Sequence, residues 1–119
     1  MDHALDTAAA YRRLIRRLDT EADGRARWRV LMAAHVLGQL HLRLHADSHL
    51  RMLRQAWQER NGREIAGQLL RLALVPIGHA LGRLPAGNVG RATVSALRPM
   101  QPPEEVAALV RWARSGATL

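Results

Sequence analysis

The sequence predicts an all-α fold, a compact bundle of about four to five helices with an extended Pro/Gly-rich segment near the C-terminus. Apolar residues make up 48% of the 119 residues, but aromatic residues make up 3% and Phe is absent. Leu, Ala and Val must therefore supply most of the core. The apolar residues recur at the spacing of amphipathic helices. Breaks that contain Gly, Asn or Pro separate these stretches.

The first two predicted helices precede Gly38. Apolar residues recur at helical spacing from Ala4 to Leu18, with arginines between them. The polar residues 19–24 predict a turn. A second helix is expected from about Arg25, with Gly38 as its stop. Its inward residues are expected to be Trp28, Leu31, Met32, His35 and Val36.

The third helix is predicted from about His41 to Arg60, where Asn61-Gly62 breaks it. A fourth helix is expected to begin near Arg63 and to end before Pro85. We expect a kink at Pro76, because a proline inside a helix removes a backbone donor. The residues predicted to be buried are Leu42, His45, His49, Met52, Leu53, Ala56 and Trp57 on the third helix and Ile65, Leu69, Leu72, Ala73, Ile77 and Leu81 on the fourth.

Residues 85–103 show neither a helical nor a strand period and are rich in Pro and Gly. We expect an extended segment that lies on the helices. Within it, residues 87–91 could bind an anion through turn amides and Arg91, but they match no phosphate-binding motif, so we predict a tight turn. A last short helix is predicted after Pro102-Pro103, with two glutamates in its first turn and Gly116 at its end.

Composition excludes several classes of function. Cysteine is absent, which removes disulfides, thiolate catalysis and thiolate metal ligands. The length suits one domain, so we treat residues 1–119 as a single helical domain. No stretch approaches the roughly 18 uncharged apolar residues of a membrane span, and the first residues lack a basic segment followed by a long apolar run, so we expect neither insertion nor export. A cytoplasmic protein without a membrane partner is expected.

The formal charge of +8 comes from arginine alone, because all 18 basic residues are Arg. These arginines are spread over every segment instead of forming one stripe, and no aromatic residues interleave with them. This distribution argues against nucleic-acid binding.

The residues that carry chemistry are histidines near the junction of the second and third helices. His41, His45 and His49 follow one another at intervals of four, so they lie along one side of a helix. If the two helices form an antiparallel hairpin that turns near Gln39-Leu40, His35 and His45 face each other. The predicted hairpin therefore brings imidazoles from two helices together.

The same hairpin would place Met32 opposite His49, one turn deeper. Burying imidazoles without partners costs roughly 1–3 kcal/mol for each unsatisfied group, and a metal ion would satisfy several at once. Neutral imidazole binds zinc, copper, nickel and iron, and a thioether would favour reduced copper. The predicted metal ligands are His35, His45, His49, Met32 and His41, and the role of His79 stays open.

An explanation without metal stands beside this one. Each buried ring could instead hydrogen-bond a backbone carbonyl or the side chain of Gln39 or Gln68, and no His-Glu-x-x-His motif is present. The carboxylates of Asp47 and Glu64 could act as further ligands or orient a ring.

Several stretches between about Trp28 and Pro102 share a recognisable pattern. They are Ala34–Gln39, His45 and His49 before Met52-Leu53, Gly67–Leu72, Leu81–Arg83, Pro85–Asn88 and Val94–Met100. Together they resemble the bacterial domain-of-unknown-function family numbered 3703. In that family's pattern a glutamate stands one helical turn before the first histidine, where this chain has Met32. The resemblance implies a Glu-x-x-His plus His-x-x-x-His ligand set, with no established activity.

The histidines of this chain that match the family's pattern are His35, His45 and His49, whereas His41 and His79 are particular to this sequence. We expect a small intracellular protein that binds one transition-metal ion, in metal handling or in a metal-dependent reaction. No separate nucleophile is visible, so no reaction is assigned. The alternative is a metal-free helical module that binds a protein partner or forms a homodimer.

Overall fold

The computed structural model describes residues 5–116, which form five helices without a strand. The helices are α1 (Thr7–Thr20), α2 (Gly24–Gly38), α3 (Leu42–Gln58), α4 (Gly62–Leu81) and α5 (Glu104–Ser115). The all-α prediction is confirmed. The predicted start of the first helix, Ala4, lies outside the described residues. No helix in the described part of the chain combines the length and the apolar character that a membrane crossing requires.

Polar caps and glycines set most of the helix ends. Asp6, Asp23 and Asn61 precede α1, α2 and α4, and the side chain of each accepts a hydrogen bond from the backbone N–H three residues later. Such a cap stabilises a helix by about 1 kcal/mol. Gly82 and Gly116 follow α4 and α5 in the left-handed conformation that glycine adopts at low cost.

The central helix is α2, which packs against α1, α3 and α5. Helix α1 also packs on α5, and α4 packs on α3. Because α2 has neighbours on several sides, it is buried over most of its circumference. The core consists of Ala10, Tyr11, Leu14, Leu18, Trp28, Val30, Leu31, Ala33, Ala34, Leu37, Met52, Ala56, Val89, Val106 and Ala113.

Helix α4 continues through Pro76 and buries a polar face. The predicted apolar face is wrong at Leu69, Ile77 and Leu81, which are 54%, 54% and 65% exposed; Ala73 is also exposed. The buried residues of α4 are instead Glu64, Gln68, Arg71 and Val75. They lie on the side that meets the segment after α4, whose backbone supplies hydrogen-bonding groups.

Two further residues that were predicted to be buried on α3 are exposed. Trp57 is 69% exposed and Leu42 is 49% exposed. The buried face of α3 contains Met52 and Ala56. Trp57 follows Ala56 directly and therefore points about 100° away around the helix. These two predictions are wrong because apolar character alone did not identify the buried side.

Residues 82–103 contain turns and bends but no helix or strand. Asn88 holds this segment together, because its Nδ2 donates to the carbonyls of Ser95 and Arg98 and its Oδ1 accepts from the N–H of Gly90. The side chain of Gln39 at the end of α2 donates to the carbonyl of Pro85. The segment is thereby fixed against α2, and Gln68 on α4 donates to its Gly90 carbonyl.

Candidate metal centre

Three imidazoles from two helices meet in the interior. Nε2 of His35, on α2, lies 3.1 Å from Nε2 of His45 and 3.1 Å from Nε2 of His49, both on α3. The three residues are only 2–5% exposed. The predicted contact between His35 and His45 across the hairpin is confirmed, and His49 reaches the same imidazole.

The outer nitrogen of His35, the Nδ1 that faces away from the other two rings, is hydrogen-bonded to the segment after α4. Nδ1 of His35 lies 2.6 Å from the backbone carbonyl oxygen of Asn88. A carbonyl oxygen can only accept, so Nδ1 carries the proton and donates. In the neutral ring Nε2 then presents a lone pair.

Gly90 allows the segment to approach this ring. A Cβ at Gly90 would lie 2.6 Å from Cδ2 of His35, and the backbone has a φ of 84°. Both the space and the left-handed conformation therefore require glycine. The close approach aligns the Asn88 carbonyl with the imidazole.

The outer nitrogen of His49 is bound by α4. Nδ1 of His49 lies 2.7 Å from Oε1 of Gln68. Nε2 of Gln68 donates to Oε2 of Glu64 at 2.8 Å and to the carbonyl of Gly90 at 2.9 Å. Since both of these partners accept, the amide has one orientation and its oxygen faces His49. Nδ1 of His49 therefore donates, and its Nε2 also presents a lone pair.

Glu64 completes this arrangement from a buried position. It is 2% exposed and accepts hydrogen bonds from Gln68, from Nε of Arg91 and from the N–H of Ala92. Burial raises the pKa of Glu64, but these hydrogen bonds and the charge of Arg91 outweigh burial and lower the pKa below its usual value. The carboxylate thus stays ionised and orients Gln68.

A proton between the facing nitrogens is disfavoured by burial. Burial and the neighbouring histidines hold the pKa of His35 well below its usual value. Burial also lowers the pKa of His49 to about 4, against the hydrogen bond that His49 donates to Gln68 and with a further contribution from the charge of Arg71. The two Nε2 lone pairs therefore face each other without a proton near neutral pH.

His79, whose role the sequence left open, is the outer partner of His45. Nε2 of His79, on α4, lies 3.0 Å from Nδ1 of His45. Burial, and then the charges of His49 and His79, lower the pKa of His45 to about 3. When Nδ1 of His45 carries the proton, its Nε2 becomes the third inward lone pair.

The ligand atoms of His35, His45 and His49 all lie within 4.8 Å of one another, an arrangement that can hold a metal ion. The other two predicted ligands lie elsewhere. Met32 is partly buried and packs against the hydrophobic core. His41 is exposed at the N-terminal end of α3. The structure thus brings together three of the five predicted ligands.

The carboxylates of Asp47 and Glu64, which the sequence offered as further ligands or as groups that orient a ring, form hydrogen bonds to other residues. Asp47 accepts hydrogen bonds from Tyr11 and Arg51. Glu64 acts on the site through Gln68, as described above, which is the orienting role that the sequence allowed. The backbone of Asn88 and the close approach of Gly90 were not foreseen, and neither was the position of Arg71 beside the site.

Comparison of the sequence with known protein families identifies one family, which has no assigned activity. A family model described as "Protein of unknown function (DUF3703)" matches residues 5–110. No curated protein and no solved structure matches the chain.

Proposed function

The chain belongs to the DUF3703 family, whose description assigns no activity, and we propose that its function is to bind one transition-metal ion. The ligands are the Nε2 atoms of His35, His45 and His49. The observation that carries the proposal is that Nε2 of His35 lies 3.1 Å from Nε2 of His49. Nδ1 of each ring donates a hydrogen bond, so both Nε2 atoms present lone pairs. A cation between them converts this repulsion into coordination.

The spacing of the nitrogens fits such an ion. Two nitrogens that are each 2.0–2.1 Å from a tetrahedral zinc ion lie about 3.4 Å apart. The observed separations of 3.1 Å need only a small outward movement of the rings to reach that value. Three neutral imidazoles suit zinc and also copper, nickel and iron. We take zinc as the reference ion because three histidines with one open position are a ligand set that zinc adopts in proteins.

The hydrogen bonds behind the ligands support the same function. Metal-bound histidines in proteins usually donate their other ring nitrogen to an oxygen or a similar acceptor, which fixes the ring and raises its basicity. His35 and His49 do so through Asn88 and Gln68. A metal ion held by three protein ligands keeps a fourth position for water or another small ligand. This open position suits reversible metal handling or a metal-dependent reaction.

The test is a metal titration of protein that was purified without a metal-affinity column and stripped with a chelator. We expect calorimetry and elemental analysis to give one Zn²⁺ per chain for the wild type and for His41→Ala. The variants His45→Ala and His49→Ala should lose tight binding. A wild type that binds no zinc, or the same loss in His41→Ala, would reject the proposal.

A second function, formation of a homodimer, is favoured by the outer faces of α3 and α4. Seven large apolar side chains on these two helices are 49–69% exposed: Leu42, Leu50, Trp57, Leu69, Leu70, Ile77 and Leu81. Exposed apolar surface of this kind often marks an interface. Sedimentation equilibrium should show a dimer that Trp57→Ser weakens. A wild type that is monomeric at every accessible concentration would reject this second function.

A further inference from the structure

A small cavity adjoins the three histidines. Its volume is about 40 Å³, and its lining includes His35, His45 and His49 together with Arg71. Apolar side chains complete the wall, among them Leu74, Val75, Leu84 and Leu97. Since one water needs roughly 10–15 Å³ of such volume, the cavity admits a ligand of about three to four non-hydrogen atoms.

Arg71 brings a buried positive charge to this cavity. The residue is 7% exposed, and its two terminal nitrogens donate to the carbonyls of Gly67 and Val94. Its Nε is buried and has no hydrogen-bond partner among residues 5–116. These bonds to neutral carbonyls hold the guanidinium in place without neutralising it.

No carboxylate in the described part of the chain forms an ion pair with Arg71. The buried carboxylate nearby, that of Glu64, is within 2.7 Å of Nε of Arg91 and also accepts from Gln68 and Ala92. A divalent ion on three neutral imidazoles would add two further positive charges. The cavity would then hold an excess of positive charge in a poorly solvated place, which favours an anion.

We propose that this cavity binds a small carboxylate or a related oxyanion such as bicarbonate. One oxygen takes the fourth position on the metal ion, and the charge of Arg71 stabilises the anion. The apolar wall accommodates the short uncharged remainder of the ligand. This inference rests on the proposed function, because the anion needs the ion held by the three histidines.

The experiment uses the full chain loaded with Co²⁺, whose visible spectrum reports its ligands. Acetate, added at constant ionic strength, should change the spectrum in a saturable way, whereas the neutral analogue acetamide should not. Arg71→Met should weaken acetate binding by about tenfold or more, the expected effect of removing a poorly solvated positive charge next to the anion. Arg63→Met removes the same charge from an exposed position on α4 and should leave acetate binding unchanged.

The outcomes separate the two proposals. If Co²⁺ does not bind, the proposed function fails. If Co²⁺ binds and acetate leaves its spectrum unchanged, or if acetamide changes it equally, this inference is overturned while the metal site stands. Circular dichroism checks that Arg71→Met is folded. If it is not, the wild-type comparison of acetate with acetamide decides the result.

Discussion

Nε2 of His35 and Nε2 of His49 lie 3.1 Å apart, and both are acceptors. The carbonyl of Asn88 fixes the proton of His35 on the far side of its ring, and the oxygen of Gln68 does the same for His49. If His45 carries its proton on Nε2, it can donate to Nε2 of His35, but the contact between His35 and His49 still contains no proton. The protein therefore holds two lone pairs together at the cost of their repulsion, which a bound cation would relieve.

Replacing Gln68 by Ala should weaken metal binding without abolishing it. The substitution removes the acceptor that orients His49, and loss of such a partner typically costs 10–100-fold in metal affinity. Competition with a chromophoric chelator measures this change. Gln58→Ala, at an exposed position, is the control and should bind zinc as the wild type does. Equal affinities for Gln68→Ala and the control would contradict the orienting role.

The metal-free protein should lose stability as the pH falls from about 6.5 to 4. The folded-state pKa values of His45 and His49 are about 3 and about 4, and that of His35 is also lowered, so at these three residues only the unfolded chain takes up protons in this window. Each such histidine contributes about 1.4 kcal/mol per pH unit, and the three together about 2–4 kcal/mol per pH unit. Urea unfolding at several pH values measures this slope.

The matched variants for this pH dependence are His49→Ala and His41→Ala. His49→Ala should show a smaller slope because one buried neutral imidazole is gone. His41→Ala should keep the wild-type slope, since His41 is exposed. A wild-type stability that stays constant between pH 7 and 5 would show that the three rings are not buried as neutral groups.

Much of the histidine cluster could be predicted from the sequence. His35 and His45 lie at equal depth from the turn between α2 and α3, and the structure brings them into contact. Helix periodicity and the spacing of i and i+4 were sufficient for this result. Gln68 and a backbone carbonyl, which the sequence offered as hydrogen-bond partners of the rings, bind His49 and His35. That the carbonyl belongs to Asn88 could not be predicted, because Asn88 lies in a segment without periodicity.

The orientation of α4 was predicted wrongly for an instructive reason. Apolar residues occur on several sides of this helix, so hydrophobicity did not identify the buried side. Glu64, Gln68 and Arg71 share one face at intervals of four and three, and that polar face is buried because it binds His49 and the backbone after α4. Polar residues at helical spacing in an otherwise apolar helix are the signal that could have revealed it.

Replacing Gly90 by Ala should damage both the fold and the site. The new Cβ would lie 2.6 Å from the ring of His35, and the φ of 84° is strained for alanine. We expect the free energy of unfolding to fall by more than about 2 kcal/mol and zinc affinity to fall with it. Gly62→Ala is the control, because a Cβ there meets nothing within 4 Å. Wild-type zinc affinity in Gly90→Ala would show that this close approach does not position His35.

Replacing His79 by Ala should lower zinc affinity by about tenfold while leaving one ion per chain. The reason is that His79 contacts Nδ1 of His45, the outer ring nitrogen. His79 is not one of the three histidines whose ligand atoms can share an ion. Calorimetric titration gives both the affinity and the stoichiometry. Loss of the bound ion in this variant would instead make His79 a ligand.

X-ray absorption at the zinc edge of the loaded protein tests the central claim most directly. We predict three imidazole nitrogens at 2.0–2.1 Å and one further oxygen ligand. A sulfur ligand from Met32, a ligand set with fewer than three imidazoles, or zinc bound only by oxygen would contradict the assignment of His35, His45 and His49 as the metal ligands.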